Sequence, residues 1–270
     1  MFLLVLLTMP KRLRYFASSL LGSLIFFMLI SLPFEARYYG LMAGVVLLVF
    51  IYWFGLGIIF EESLFNKIVP VTLPVAFFVG FGLFMAIFPY NLLTAIPASI
   101  FFGLICYVIF SIENIFFVAI GYKTVPLYRA AYTFSLMVML LTAFFAYDTI
   151  LSFRTYFWVN AIAVFLTSML LFLYQFWAIA IELPDDGKNK SISAYVIVPS
   201  IVMAELALIF SFWPVGIFKG SVYLVSVFYI ILGLLQADIR ERLFKRTWTG
   251  LLWVALAVLI GVVGMTSWGE

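Results

Sequence analysis

The sequence predicts an all-α fold, a polytopic bundle of about nine transmembrane helices, from its composition and from the length of its apolar runs. Of the 270 residues, 67% are hydrophobic and only 10% are charged. A soluble domain carries about 25% charged residues. This chain therefore has too little charge to cover itself with a hydrated surface, and lipid has to cover it instead.

Nine apolar runs are long enough to cross a bilayer, which takes roughly 20 residues in a helix. The first run follows three basic residues, but it exceeds the roughly 7–15 apolar residues of a signal peptide, so we predict an uncleaved first span. The second and fourth runs are long and are expected to tilt or to project beyond the bilayer. Proline marks two tight connections, at Pro89 and at Pro214. The runs are 15–33, 39–60, 68–88, 92–120, 128–147, 156–181, 193–213, 217–237 and 248–266.

The basic residues orient these spans by the positive-inside rule. With the amino terminus in the cytoplasm, Arg37, Arg154 and Lys219 lie outside, and the remaining twelve of the 15 lysines and arginines lie inside. All connections are short, so residues 1–270 are expected to form a single transmembrane domain. We predict a protein of the plasma (inner) membrane with a cytoplasmic amino terminus and an outer carboxyl terminus.

The two halves of the chain, 12–126 and 127–247, resemble each other. Each half begins with an arginine, has another in its first outer hairpin, and carries an acid late in its fourth helix. Four helices per half would give parallel repeats, with the last helix, 248–266, as an addition. Alternatively, apolar helices of similar length align by chance. The matching residues are Arg14 with Arg129, Arg37 with Arg154, and Glu113 with Asp238.

Glu205 is the clearest ionisable side chain within a predicted span. A charge within the bilayer costs roughly 2.5–3.5 kcal/mol and indicates a function by default. Pro199, within two turns of Glu205, would remove a helical hydrogen bond and supply a hinge. Two other interpretations remain open. Glu205 could form an ion pair with Lys219 across the hairpin, or it could be a neutral carboxyl bonded to a neighbouring helix.

Four further polar residues carry expectations. Glu113 and Asn114 lie late in the fourth span and are candidates for binding a substrate or a proton at an inner vestibule, unless a long helix simply carries them into water. Asn160 is expected to form a hydrogen bond between helices. Asp148 is expected to pair with Arg154 at the surface of an outer connection, where such a bond contributes little.

The composition excludes several kinds of site. The chain has no histidine and one cysteine, Cys106, which leaves neither a histidine acid–base catalyst nor an intramolecular disulfide. The sequence contains no phosphate loop, dinucleotide fingerprint or nucleophile elbow. We therefore predict no cofactor, no metal and no nucleic-acid partner, and the sequence favours a protein other than an enzyme.

Two functions from different classes remain. The first is a small-solute or cation permease in which Glu205 binds a cation, a proton or an amine. The second is a non-catalytic membrane-embedded scaffold or accessory subunit. Its partners would be membrane lipid, another membrane protein or a second copy of the chain. A permease should show polar residues that converge on a cavity, whereas a scaffold should show a packed interior and an apolar outer surface.

Overall fold

The computed structural model describes residues 10–56, 64–121, 126–181, 193–214, 216–240, 245–264 and 266. The regular elements within these ranges are helices, which confirms the all-α prediction. The α-helices are α1 (Lys11–Ser31), α2 (Phe34–Leu56), α3 (Leu64–Ala86), α4 (Leu92–Gly121), α5 (Tyr128–Ser152), α6 (Phe157–Ala180), α7 (Val198–Phe212), α8 (Ile217–Ile239) and α9 (Lys245–Gly264). A π-helical turn, Ser193–Ile197, leads directly into α7.

The described helices have the length and the composition of membrane spans. Eight helical stretches are long and apolar enough to cross a bilayer, and α9 adds a shorter apolar stretch, Trp248–Gly264. In a bilayer every backbone polar group must be satisfied within the protein, which a continuous helix achieves by itself. The chain is therefore a polytopic helical membrane protein.

The connection between α1 and α2 is shorter than the sequence indicates. The second span was expected from residue 39, but α2 begins at Phe34. Leu32 precedes a proline and adopts an extended backbone conformation (φ −68°, ψ 146°), as the residue before a proline tends to do. A new helix can begin directly after Pro33, because the proline ring fixes φ and blocks continuation of the first helix.

Arg37 binds the ends of two helices in this region. Its guanidinium donates to the carbonyl oxygens of Leu32 at 3.1 Å, Ile30 at 3.3 Å and Ala86 at 3.2 Å. The last carbonyls of a helix have no partner within the helix, and they carry the negative end of its dipole. Arg37 therefore ties the end of α1 to the end of α3.

Replacing Arg37 by alanine is expected to lower the free energy of unfolding by about 1 kcal/mol, the upper range for a partly exposed cation at a helix carboxyl end. Thermal unfolding in mild detergent measures this loss. Arg37→Lys keeps the charge but loses the guanidinium that donates to three carbonyls, so it should retain part of the stability. An alanine variant as stable as the wild type would show that these carbonyls do not depend on Arg37.

The chain divides into two compact units, and the first ends at Met139 and the second begins at Leu140. Helix α5 runs from the first unit into the second. The predicted repeat, 12–126 and 127–247, stays a prediction, because a division into compact units does not establish that the units share one fold.

The first unit is built around a stack of phenylalanine rings. Phe26 of α1 stacks against Phe102 of α4 and Phe81 of α3, with ring centroids 4.5 Å and 5.0 Å away. Phe77 stacks against Phe102 at 5.5 Å, and Phe78 meets Phe26 edge-on at 5.9 Å. All five side chains are buried. The stack joins α1, α3 and α4.

Hydroxyl and amide groups join helices of the second unit. The Tyr147 hydroxyl of α5 and the Ser168 hydroxyl of α6 lie 2.8 Å apart. Asn160 of α6 accepts a hydrogen bond from Thr155 at 2.6 Å and donates one to Ser211 of α7 at 3.3 Å. The interhelical bond expected for Asn160 is confirmed.

Candidate functional site

Glu113 and Asn114 of α4 belong to a buried polar cluster in the first unit. Glu113 is 0% exposed, and Asn114 accepts a hydrogen bond from the Tyr15 hydroxyl of α1 at 2.8 Å. The Glu113 carboxyl lies close enough to the hydroxyl of Tyr52 in α2 to act on it electrostatically and as a hydrogen-bond partner. The cluster therefore combines side chains from three helices.

The alternating direction of the helices brings these residues together. Tyr15 lies in the first turns of α1, Tyr52 in the last turns of α2, and Glu113 in the second half of α4. Because consecutive spans run in opposite directions, the start of α1 lies on the same side as the ends of α2 and α4. At about 1.5 Å per residue, Glu113 lies roughly 12 Å before the end of α4. Because α4 is longer than α1 and α2, a residue this far from its end can still lie beside Tyr15 and Tyr52.

Arg14 adds a guanidinium to the cluster. Its side chain is buried, and its Nη2 donates to the carbonyl oxygen of Leu56 at the end of α2 at 3.5 Å. The guanidinium is also the charged group that acts on the neighbouring Tyr15 hydroxyl. The sequence assigned Arg14 to the cytoplasmic basic residues and to the possible repeat, where it matches Arg129. Its burial adds a structural role that charge counting does not detect.

The cluster has the groups to hold protons and water, and it offers no ligand set for a metal. Within the described residues, no group of three or more histidine, cysteine, aspartate or glutamate side chains comes together. Beside Tyr52 lies a small cavity whose walls include Ser18, Gly22 and Cys106.

Glu205 lies in the middle of α7 in the second unit, and its side chain is exposed. Among the described residues it makes no hydrogen bond or ion pair. The positions around it on the same helical face are also exposed, including Ile201, Val202, Leu208 and Ile209. The carboxyl therefore stands on an apolar outer face of the helix.

Pro199 and Lys219 occupy different surroundings from Glu205. Pro199 is buried at the start of α7, directly after the π-helical turn. Lys219 is exposed at the third position of α8. The π turn is a rare form of helix that often lies at functional sites, and the hinge expected at Pro199 stays a prediction. The ion pair between Glu205 and Lys219, one of the open interpretations, is not among the contacts of the described residues.

Asp148 corrects one expectation. The sequence predicted a surface pair with Arg154, but Asp148 is buried and accepts a hydrogen bond from Ser221 of α8 at 2.7 Å. The prediction was wrong because α5 continues to Ser152, which places Asp148 one turn inside the helix. Arg154 lies in the following turn with a left-handed backbone (φ 46°).

Sequence reasoning missed Tyr15 and Tyr52 as partners of Glu113 and Asn114. A tyrosine near the end of a span is expected at the membrane interface, so neither residue indicated a site. The missed signal was the combination: two tyrosines, an acid and an amide fall near the same predicted side of the membrane. Only the packing of the helices shows that these side chains turn inward.

Comparison with known proteins gives a family without an assigned activity. A family profile described as "Protein of unknown function (DUF5656)" matches residues 61–265. The match contains Glu113 and Glu205 and begins after α2. No curated protein and no solved structure matches the chain.

Proposed function

We propose that this chain, which belongs to the DUF5656 family, is a non-catalytic membrane-embedded subunit that binds a transmembrane helix of another protein along α7. The observation that carries the proposal is the exposed Glu205 carboxyl in the middle of an apolar helical face. This is the second of the two functions that the sequence left open. The argument depends on the geometry of that face and on the energy of an exposed carboxyl in lipid.

The exposed positions of α7 form one continuous stripe, which we call the Glu205 stripe. Its members recur every three or four residues, as the positions on one side of a helix do. Apart from the carboxyl, the stripe is formed by large apolar side chains that are 38–68% exposed. Its residues are Val198, Ile201, Val202, Glu205, Leu208, Ile209 and Phe212. The opposite face, with Met203 and Ala207, is fully buried.

An isolated carboxyl is the wrong group for a face that lipid covers. At the centre of a membrane helix an acidic residue costs roughly 2.5–3.5 kcal/mol on insertion scales. A partner helix that brings a lysine, arginine or amide to the same depth would remove much of this cost. The chemistry of the stripe therefore calls for an apolar helix with one hydrogen-bond donor, preferably cationic, near its middle.

A second copy of the chain is a poorer occupant. A two-fold symmetric dimer brings the same patch of both copies together, so the two Glu205 carboxyls would meet in the contact. Two carboxylates that share a site repel each other and cannot both stay ionised. A helix of a different protein with the opposite charge avoids this conflict.

The permease remains the competing function, with Glu205 as its binding or protonation site. It requires a water-filled path to the carboxyl, whereas the residues around Glu205 on its face of α7 are exposed and apolar. The proposal keeps the plasma membrane, and it keeps the cytoplasmic amino terminus, which is supported by the distribution of lysine and arginine.

Photo-crosslinking in the native membrane tests the proposal. A photoreactive amino acid at Leu208 should give a discrete adduct with a transmembrane segment that carries a lysine or arginine near its middle. The same amino acid at Ile260 on the exposed face of α9 is the control and should give no such adduct. Glu205→Leu should weaken the Leu208 adduct about ten-fold, since about 1.4 kcal/mol of binding energy corresponds to that factor.

Charge reversal makes the test specific for the proposed partner. Glu205→Lys should abolish the adduct, and an acidic residue in place of the partner's cation should restore it. An adduct only with a second copy of the chain, or a yield that does not depend on residue 205, would contradict the proposal. Loss of cation or amine uptake in Glu205→Leu, without any adduct in the wild type, would establish the permease instead.

A further inference from the structure

The residues of the Glu205 stripe follow a regular spacing along α7. Val198, Glu205 and Phe212 lie seven residues apart, and the other members fall between them at intervals of three and four. These are the contact positions of a left-handed helix pair, in which two helices run side by side for several turns. An ordinary helical face drifts by only about 20° over seven residues, so the spacing permits this packing without deciding it.

The size of the side chains decides between the two common ways in which membrane helices pair. Right-handed pairs cross at about −40° and bring the two backbones together through small residues. All six apolar members of the stripe are valine, isoleucine, leucine or phenylalanine, and four of them are β-branched. Such side chains hold two backbones apart and have few rotamers to lose when they pack. They fit the left-handed pair, which crosses at about +20° and places side chains in the spaces between those of the partner.

Helix α7 is tied to its neighbours near both ends. The hydroxyl of Tyr195, in the π turn before α7, donates to the carboxylate of Asp238 in α8 at 2.7 Å. The hydroxyl of Ser211, in the last turn of α7, accepts a hydrogen bond from Asn160 of α6 at 3.3 Å. The stripe is therefore in place before a partner arrives, and a preorganised surface loses less conformational entropy on association.

The central position of Glu205 limits where the partner can carry its cation. Seven residues of the stripe lie on either side of the carboxyl, which corresponds to roughly 10 Å of apolar contact in each direction. A lysine or arginine near the end of the partner's span would extend its charge into the interfacial water instead. Only a cation near the middle of the partner's contact face reaches Glu205.

We propose that the partner of the Glu205 stripe is a transmembrane helix that packs on α7 as a left-handed pair. Its contact face carries large aliphatic residues at intervals of three and four, with one lysine or arginine at the central contact position. This inference rests on the proposed function and adds to it the packing mode and the residue pattern of the partner. It excludes a helix that pairs through a face of small residues.

A photo-crosslinking scan along α7 in the native membrane tests the packing mode. A photoreactive amino acid with a short reactive group is placed at Val198, Phe212 or Ile197, one position in each variant. A left-handed pair contacts α7 seven residues before and after Glu205, so Val198 and Phe212 should give adducts several-fold stronger than Ile197. A right-handed pair contacts every fourth residue, so it would favour Ile197, eight residues before Glu205. Ile197 is 43% exposed, which makes it an accessible control.

The outcomes of this scan separate the packing mode from the proposed function. An adduct at Ile197 as strong as the one at Val198 would overturn the left-handed pair and leave the partner helix in place. No adduct at these positions or at Leu208 would contradict the proposed function itself. A crosslinked segment whose contact face consists of glycine and alanine would also overturn the inference.

A truncated side chain gives a second readout that distinguishes the two modes. Ile201 is exposed on the stripe, so Ile201→Ala should fold. In a left-handed pair the variant loses packing against the partner, and the Leu208 adduct should fall several-fold. In a right-handed pair the smaller residue would let the backbones approach, so an unchanged or stronger adduct would overturn the inference. Ile260→Ala removes an equal side chain from the exposed face of α9 and should leave the adduct unchanged.

Discussion

Replacing Phe26 by alanine is expected to lower the free energy of unfolding by about 2–3 kcal/mol. In water-soluble proteins a buried Phe→Ala substitution costs about 3–5 kcal/mol, through lost transfer energy and through the cavity left behind. In a bilayer the transfer contribution is smaller, because lipid tails are as apolar as the protein interior. The cavity remains, and so does the loss of the two ring stacks that Phe26 forms at 4.5 Å and 5.0 Å.

Reversible unfolding in bilayers or mild detergent measures this effect, and helix α1 offers a matched control. Phe16 lies on the same helix but is 57% exposed, so Phe16→Ala removes an equal side chain from the outer surface. Surface substitutions usually change stability by no more than about 0.5 kcal/mol. Equal losses in the two variants would show that the phenylalanine stack does not hold the first unit together.

The number and positions of the helices could be predicted because the bilayer imposes them. The backbone N–H and C=O groups of a span have to form their hydrogen bonds within the protein, and the span has to stay apolar for about 20 residues. Both requirements are visible in the sequence. The start of α2 was predicted too late, because Glu35 and Arg37 interrupt the apolar run. The helix tolerates Arg37 there because its guanidinium binds three nearby carbonyls.

The packing inside the membrane could not be predicted in the same way. Helix α4 is apolar on nearly every side, so its pattern does not distinguish Phe102, which is buried, from Leu104, which is exposed. In a soluble protein the polar face of a helix gives this information. In a membrane helix the side that faces lipid and the side that faces protein are built from the same residue types.

The candidate sites show the same difference between residue positions, which could be predicted, and helix packing, which could not. Glu113 and Glu205 could be selected from the sequence because an acid within a span is rare. Their opposite surroundings, with Glu113 buried in a polar cluster and Glu205 on an outer face, come only from helix packing. Tyr52 was not selected, because tyrosine occurs in spans and at interfaces alike, and its importance lies in the neighbours it meets.

Replacing Ser221 by alanine is expected to destabilise the second unit by about 2 kcal/mol, since a hydrogen bond to a charged group contributes about 1.5–3 kcal/mol. The Ser221 hydroxyl donates to Asp148 at 2.7 Å, the shortest of its contacts, and thereby joins α8 to α5. Without it the carboxyl stays buried and loses its donor, which costs more than the bond alone contributes. The expected loss appears in the same unfolding measurement.

A double-mutant cycle separates this bond from general effects of the substitutions. Asp148→Leu with Ser221→Ala removes both polar partners, so the pair should cost less than the sum of the single variants. Ser226→Ala is the matched control, because the hydroxyl of Ser226 donates to the Val222 carbonyl of its own helix and should contribute little. Additive losses in the cycle would show that Asp148 and Ser221 stabilise the unit separately. A non-additive result assigns the stabilisation to the bond between α5 and α8, at a carboxyl that the sequence had placed in an outer connection.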